Sequence, residues 1–173
     1  MEFETKTISR QIGDLLYGSN YTVGTAESCT GGRIGEALIA IPGASNYFKG
    51  GIISYTNEVK ENLLQVSHET LEAQTAVCED VARQMALGAI KALNVDFAVS
   101  VTGVAGPGGG TPDIPVGTIW IACGTKDNIR TLKLENDFGR DINLAIATNK
   151  ALRLLLQVVT ERLNEDDENE KNP

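Results

Sequence analysis

The stretch TAESCTGG places two nucleophiles side by side where a short apolar strand gives way to a helix. Ser28 would need a neighbouring base to attack an amide, whereas a thiolate at Cys29 is intrinsically the stronger nucleophile. Free N–H groups at the start of the helix could hold a phosphate or an oxyanion. The residues alone leave open a simpler reading, in which Ser28 or Thr30 only caps the helix.

A base for Ser28 has to come from elsewhere in the chain. His68, the single histidine, lies in the polar stretch VSHET, which resembles a turn, so a Ser-His-Asp triad has weak support. The stretch YTNEVK offers Tyr55 and Lys60, and a lysine whose pKa is lowered by burial can act as a base, alone or with a tyrosine relay. The alternative is an ordinary surface lysine on a short helix.

The loop TGVAGPGGGTP is rich in glycine but is not a Walker loop, because no Gly-Lys-Ser/Thr follows. Either a ligand close to the bare backbone or a long structural turn would explain its glycines. Arg140 precedes Asp141 at the expected start of the last helix, where a cation is unfavourable against the helix dipole unless an anion lies nearby. That anion could be a bound phosphate, or the side chain of Glu135 or Asp137.

The elements that position these residues follow from hydrophobic periodicity. Helices are predicted over residues 4–18, 33–41, 57–64, 76–93 and 142–159, and strands over residues 21–27, 52–55, 96–101, 117–123 and 129–134. Strands and helices interleave in the first half, whereas two strands adjoin in the second. We therefore expect an α/β fold, a three-layer α/β/α sandwich with a mixed β-sheet, with its ligand site at strand-to-helix turns.

Composition and charge limit the classes of partner. The net charge of -8 is half contributed by residues 164–173, which hold five acids and one lysine and no apolar residue. This segment is predicted to be a disordered, solvated tail, following a single domain over residues 1–163. The remaining body has no Lys/Arg cluster, so binding to nucleic acid is disfavoured. Apolar runs shorter than about 20 residues argue against a membrane span.

The cysteines and the histidine give no metal site. Cys29, Cys78 and Cys123 are far apart and odd in number, and no pair has metal-ligand spacing. Together with the lack of an N-terminal signal peptide, this predicts a cytoplasmic protein with reduced thiols.

The motifs, taken in order, resemble those of the CinA C-terminal domain family, whose members include nicotinamide mononucleotide deamidases. The resemblance rests on TAESCTGG, GGIISYTNEVKENLL, VTGVAGPGGGTPDIPVGTIWIA and the FGR element before the last helix, and it covers residues 21–159. It implies hydrolysis of nicotinamide mononucleotide to nicotinate mononucleotide and ammonia. It also implies no metal and no redox cofactor, and a homo-oligomer, a dimer or larger.

The resemblance also implies residue roles. Ser28 would be the nucleophile, and Tyr55 with Lys60 the pair that moves its proton. Substrate would be bound by a further set: Gly31, Gly32, Thr102, Gly103 and Arg140. Within it the glycine pair would donate N–H groups, Thr102 and Gly103 would bind substrate or stabilise the oxyanion, and Arg140 would receive the phosphate.

Two further hypotheses compete with the serine amidase. One is a catalytically silent nucleotide-binding module that kept the pocket for regulation and binds a nucleotide without turning it over. The occurrence of Ser28, Tyr55 and Lys60 together favours the enzyme, because binding a mononucleotide requires none of their proton chemistry. The other is hydrolysis of a different small amide through Cys29.

Overall fold

Six α-helices and five β-strands are found over residues 2–171, the part of the chain that this computed structural model describes. The elements are α1 Glu2–Leu16, β1 Val23–Glu27, α2 Arg33–Ile39, β2 Phe48–Ile53, α3 Asn57–Leu64, α4 His68–Gln74, α5 Glu79–Leu93, β3 Phe97–Gly103, β4 Ile119–Gly124, β5 Ile129–Leu134 and α6 Arg140–Lys171. A short 3-10 turn, Ala44–Asn46, precedes β2.

The strands form one mixed sheet in the order β2-β1-β3-β4-β5. β1 pairs in parallel with both β2 and β3, β4 pairs with β3 in antiparallel fashion, and β5 pairs with β4 in antiparallel fashion. In this register Glu27, the last residue of β1, lies between Ile53 of β2 and Val101 of β3. The three parallel strands therefore end at the same edge, and the predicted mixed α/β sheet is confirmed.

Helices cover both faces of the sheet, as expected for the predicted three layers. α2 and α6 pack on one face with α1 outside them, and α5 packs on the other with α3 and α4 against it. The larger core lies under α6, where Leu152 and Leu155 are fully buried with Ile121 of the central sheet. Full burial of such a side chain is worth about 1.5–3 kcal/mol, so this layer anchors the sheet whose edge carries the site.

Helix α3, which carries Lys60, lies against α5 in unusually close contact. A Cβ atom built on Gly88 of α5 would be 2.0 Å from the carbonyl oxygen of Leu64, the last residue of α3. Only glycine permits this approach, because any side chain would collide with backbone. Gly88 thus fixes the depth at which α3 sits against the sheet.

Two local predictions were wrong. The segment containing His68 is not a turn but starts α4, and the Ser67 hydroxyl caps this helix by accepting from the N–H of Thr70. The next helix begins at Glu79 rather than at residue 76, because the Cys78 sulfur accepts from Val81 N–H as its N-cap. Apolar spacing continued across this boundary, so periodicity could not reveal it.

The predicted disordered tail is helical as far as the structure describes it. α6 continues without a break to Lys171, and residues 172 and 173 lie outside the described residues. Arg162 pairs with Glu165 and Asp166 one turn further on, and Asp166 accepts a hydrogen bond from the Tyr21 hydroxyl. Side-chain pairing can thus extend a helix that is already nucleated by packing, although the added residues bury little.

Helix α6 is also the one helix among residues 2–171 whose length and composition would suit a membrane span. Half of its most apolar window is buried in the fold, where it packs on β3, β4 and α1. The core helix of a soluble α/β protein has the same character, so this observation is weak evidence for a membrane.

Candidate active site

The site lies at the edge where the three parallel strands end. Ser28 directly follows β1, Ser54 directly follows β2, and Thr102 is the penultimate residue of β3. Ser28 N–H donates to Val101 O over 2.9 Å, and Ser54 N–H donates to Glu27 O over 2.8 Å. Backbone pairing beyond the strands thus holds the main chain of Ser28 beside that of its neighbouring strands.

Lys60 lies beside Ser28. Its Nζ is 3.0 Å from Ser28 Oγ and 2.7 Å from the carbonyl oxygen of Ser54, and the lysine is 1% exposed. It belongs to the second turn of α3, whose N-cap is the Thr56 hydroxyl. The predicted partnership between the serine and the lysine is therefore present as direct hydrogen-bond contact, and the surface-lysine alternative is wrong.

Burial changes the acid-base behaviour of Lys60. Desolvation of the ammonium lowers the pKa of Lys60 from 10.5 to about 8, and no carboxylate among residues 2–171 accepts a hydrogen bond from it. With that pKa roughly a tenth of the amines are neutral at pH 7. A neutral amine that donates one of its N–H groups in a hydrogen bond to Ser54 O can direct its lone pair at Ser28 Oγ. This is the geometry of a general base.

Cys29 is poorly suited to compete. Its side chain packs against the main core, and burial raises the pKa of the Cys29 thiol to about 12, with the nearby Glu27 carboxylate adding to the shift. A thiol with this pKa is almost wholly protonated at neutral pH and therefore inert as a nucleophile.

The start of α2 fits neither reading of the sequence. Gly32 is the N-cap and has no side-chain cap, so neither Ser28 nor Thr30 caps the helix. The N–H groups at this turn are not free to bind an anion either, because Gly32 N–H donates to Glu27 Oε2 and Gly31 N–H donates to Ser28 O. The expected donor role of Gly31 and Gly32 therefore disagrees with the hydrogen bonds that these groups make.

A cavity of about 270 Å³ opens beside the Ser28 and Lys60 pair. It brings together most residues predicted for the site, and its lining consists of Ser28, Cys29, Tyr55, Asn57, Lys60, Ala76, Val77, Thr102, Gly103, Val104, Ala105, Gly106, Gly108, Gly109 and Arg140. Gly31 and Gly32 lie outside this lining. Part of the glycine-rich loop thus forms the wall of a pocket.

Tyr55 and Thr102 differ in how they meet this cavity. Tyr55 is 63% exposed at the rim, and among residues 2–171 no hydrogen bond joins it to Ser28 or Lys60. Thr102 is buried, and its hydroxyl donates to Ala76 O over 2.7 Å, which ties the end of β3 to the segment before α5. The Thr102 hydroxyl therefore helps to hold the wall of the cavity.

Arg140 lies in the first turn of α6 and crosses to the glycine-rich loop, donating from Nη1 to Gly106 O over 2.8 Å. The side chain of Asn143, also in α6, supports this arrangement. It donates to Ala105 O and to Asp137 Oδ1, and it accepts from Phe138 N–H. The guanidinium and the N-terminus of a long helix together give this end of the cavity a positive potential.

Sequence reasoning missed Glu27, Asn143 and the segment from Ala76 to Val77. A charged residue ending an apolar strand could have drawn attention to Glu27. Nothing in the sequence marked Asn143, because its importance comes from loops that meet only in the folded chain. In the described part of the chain no group of three or more His, Cys, Asp or Glu side chains is placed to hold a metal ion.

Comparison with known proteins places this site in a family. The sequence model of the CinA C-terminal domain matches residues 5–159, nearly the whole chain. The chain belongs to the CinA C-terminal domain family.

Relatives of the CinA family agree with this assignment. A CinA-like protein of Leptospira borgpetersenii serovar Hardjo-bovis (strain L550) is 48% identical over 123 residues, 71% of this chain and 29% of the relative. A CinA-like protein of Thermosynechococcus vestitus is 45% identical over 152 residues, 86% of this chain and 36% of the relative. The chain thus spans about a third of the length of these curated CinA-like relatives.

Solved structures share the fold over nearly their whole length. The competence/damage inducible protein CihA from Agrobacterium tumefaciens has a TM-score of 0.87 at 37% identity, covering 90% of this chain and 95% of its own. A CinA superfamily protein from Escherichia coli has a TM-score of 0.82 at 36% identity, covering 88% and 91%. The α/β fold with its mixed sheet is therefore that of CinA-family proteins.

Proposed function

We propose that this chain is a nicotinamide-nucleotide amidase that hydrolyses nicotinamide mononucleotide to nicotinate mononucleotide and ammonia. The observation that carries the proposal is the buried Lys60 amine, with its pKa lowered to about 8, in contact with Ser28 Oγ. A cation is costly to bury, and the described residues give this one no carboxylate to offset the cost. Such an arrangement is characteristic of a catalytic base.

Acylation of Ser28 needs one proton transfer in each direction. Neutral Lys60 takes the hydroxyl proton as Ser28 Oγ attacks the carboxamide carbon, and the resulting ammonium stabilises the adjacent negative charge. The C–N bond then breaks, and Lys60 returns the proton to the departing nitrogen, which leaves as ammonia. The product at this stage is a nicotinoyl ester of Ser28.

Deacylation repeats the sequence with water in place of the serine. Lys60, neutral again, removes a proton from a water molecule that attacks the ester carbonyl, and it then protonates Ser28 Oγ as the C–O bond breaks. The acid leaves as its carboxylate. The carbonyl oxygen of Ser54 accepts a hydrogen bond from Nζ throughout, so the lone pair of the amine stays directed at the reacting oxygen.

The phosphate of the substrate is assigned to Arg140. Its guanidinium lines the cavity at the N-terminus of α6, where both the side chain and the helix dipole favour an anion. Gly103 and the glycine-rich loop line the wall between this end and Ser28. Tyr55 stands at the rim, where its ring can face the positively charged pyridinium of the substrate.

The test is ammonia release from nicotinamide mononucleotide by the purified protein, beside Ser28→Ala, Lys60→Ala and Cys29→Ala variants. We expect turnover by the wild type, its loss in the first two variants, and its retention in Cys29→Ala. Full activity in Ser28→Ala would overturn the assignment of the nucleophile. Binding of the nucleotide without ammonia release by the wild type would favour the silent binding module.

The homo-oligomer and the cytoplasmic location stay predictions. Light scattering of the purified protein measures the first, and fractionation of cells that express it measures the second.

A further inference from the structure

Glu27 is a buried carboxylate whose hydrogen bonds are all made with backbone N–H groups. It is the last residue of β1, directly before Ser28, and it is 1% exposed. Its Oε2 accepts from Gly32 and Ile34, each over 3.1 Å, and its Oε1 accepts from Gly35 over 2.9 Å. Three donors at the start of α2 thus converge on one side chain.

This arrangement replaces an ordinary N-cap. A helix usually satisfies its first N–H groups through the residue at its own N-cap, but Gly32 has no side chain to do so. The carboxylate comes instead from the strand before the turn, five residues earlier than Gly32. The turn from residue 28 to residue 32 is therefore closed at both ends by the same residue.

The main chain at Glu27 also belongs to the network around the base. Glu27 O accepts from Ser54 N–H, and Ser54 O in turn accepts from Lys60 Nζ. The carboxylate of Glu27 thus holds the turn that carries Ser28. Its main-chain carbonyl holds Ser54, whose own carbonyl accepts the hydrogen bond from Lys60. The charge of Glu27 adds to the causes that keep Cys29 protonated.

We propose that Glu27 is a positioning residue that sets the location of Ser28 Oγ relative to Lys60 Nζ by holding the nucleophile turn on the start of α2. This inference rests on the proposed function. It places Glu27 out of contact with substrate and predicts that its loss lowers kcat much more than it changes KM, since phosphate binding at Arg140 is untouched.

The test compares Glu27→Gln and Glu27→Asp with Leu152→Ala, a core variant remote from the cavity that controls for lost stability. Glutamine keeps one oxygen but points an NH2 group at a donor, and aspartate is one methylene too short to reach. We expect kcat per folded molecule to fall roughly 10- to 100-fold with KM within about threefold, because small misplacement of a nucleophile has such effects. The Leu152→Ala variant should keep the kcat of its folded fraction.

A second pair of variants tests the same contact in case the Glu27 variants do not fold. Gly35→Pro removes the N–H that donates to Glu27 Oε1 and puts a ring carbon in its place, so the carboxylate must move, whereas Gly35→Ala keeps this N–H and adds a Cβ that meets nothing closer than 3.6 Å. Proline is tolerated in the first turn of a helix. The proline variant should lose kcat and the alanine variant should keep it.

A reaction that needs no nucleotide separates the two proposals. Phosphonylation of Ser28 by an alkyl fluorophosphonate, with loss of fluoride, should slow in Glu27→Gln by the same factor as kcat. A wild type that is labelled but releases no ammonia would refute the substrate and leave this test intact. Labelling rates and kcat within twofold of the wild type in Glu27→Gln and Gly35→Pro would overturn the role of Glu27.

Discussion

Lys60 Nζ lies 3.0 Å from Ser28 Oγ although 32 residues separate the two in the sequence. The contact is produced by β2 and α3: the strand delivers the chain to the same sheet edge as Ser28, and α3 turns back with Lys60 on its buried side. The Ser54 carbonyl then fixes the amine. Two consequences of this pairing and three of its surroundings can be measured.

The activity should depend on the neutral form of Lys60. Because burial lowers the pKa of Lys60 to about 8, kcat/KM should rise with pH and level off above that value. Lys60→Arg should lose at least about a thousandfold in kcat, since a guanidinium stays charged and cannot serve as base. The measurement is a pH profile of ammonia release; a flat profile between pH 6 and 9 would contradict it.

The stability of the fold should also depend on the titration of Lys60, and it should rise with pH as the activity does. The pKa of Lys60 is 10.5 in the unfolded chain and about 8 in the folded chain. Between these two pH values the folded state therefore binds fewer protons than the unfolded state. The free energy of unfolding should therefore rise with pH across that window, by roughly 3 kcal/mol from this group. Below pH 8 the full cost of the buried ammonium remains.

The matched variant is Lys60→Met, which has no charge to titrate. The free energy of unfolding of Lys60→Met should exceed that of the wild type by most below pH 8. The wild type should gain on the variant as the pH rises from 8 to 10.5. Urea unfolding at several pH values measures the difference. A constant difference would show that Lys60 does not titrate in this window.

Tyr55 should act through its ring rather than its hydroxyl. It is exposed at the rim, and no hydrogen bond joins it to Ser28 or Lys60 among residues 2–171. Tyr55→Phe should therefore keep kcat within about threefold, while Tyr55→Ala should raise KM about 5- to 30-fold through loss of the contact with a cationic ring. A hundredfold fall of kcat in the phenylalanine variant would restore the tyrosine relay.

Arg140 should matter only for substrates with a phosphate. Arg140→Met should raise KM for nicotinamide mononucleotide about 10- to 100-fold, as expected for a charge-assisted contact worth about 1.5–3 kcal/mol. The same variant should leave the activity on nicotinamide riboside, which lacks the phosphate, near that of the wild type. Equal losses on both substrates would show that Arg140 serves the loop through Gly106 instead.

Gly88 should be essential for the position of α3. In Gly88→Ala the new methyl would collide with Leu64 O at 2.0 Å, so α3 must move away from α5 or the protein must unfold. We expect a loss of at least about 3 kcal/mol in unfolding free energy. Gly108→Ala is the control for stability alone, because a Cβ there meets nothing within 4 Å.

Much of the fold followed from local pattern. Apolar periodicity predicted five of the six helices and all five strands, with bounds within about four residues except at the end of α6, because each element buries one face and therefore repeats apolar residues at its own period. It failed at α4, whose polar sequence starts with an exposed His68, and at the last turns of α6, where the pairing of Arg162 supports a helix of low hydrophobicity.

The sequence by itself supplied the candidates: a serine at a strand end, a lysine in the helix that follows another strand, and a single histidine in a polar stretch. Their match to the motifs of the family then predicted the class of chemistry. Only the tertiary structure decided which of these residues meet. Burial lowered the pKa of Lys60 and raised the pKa of the Cys29 thiol, and folding placed the N–H groups of Gly32 and Gly35 on the Glu27 carboxylate instead of leaving them free for a bound anion. Each outcome depends on distance and desolvation, which arise from segments far apart in the chain.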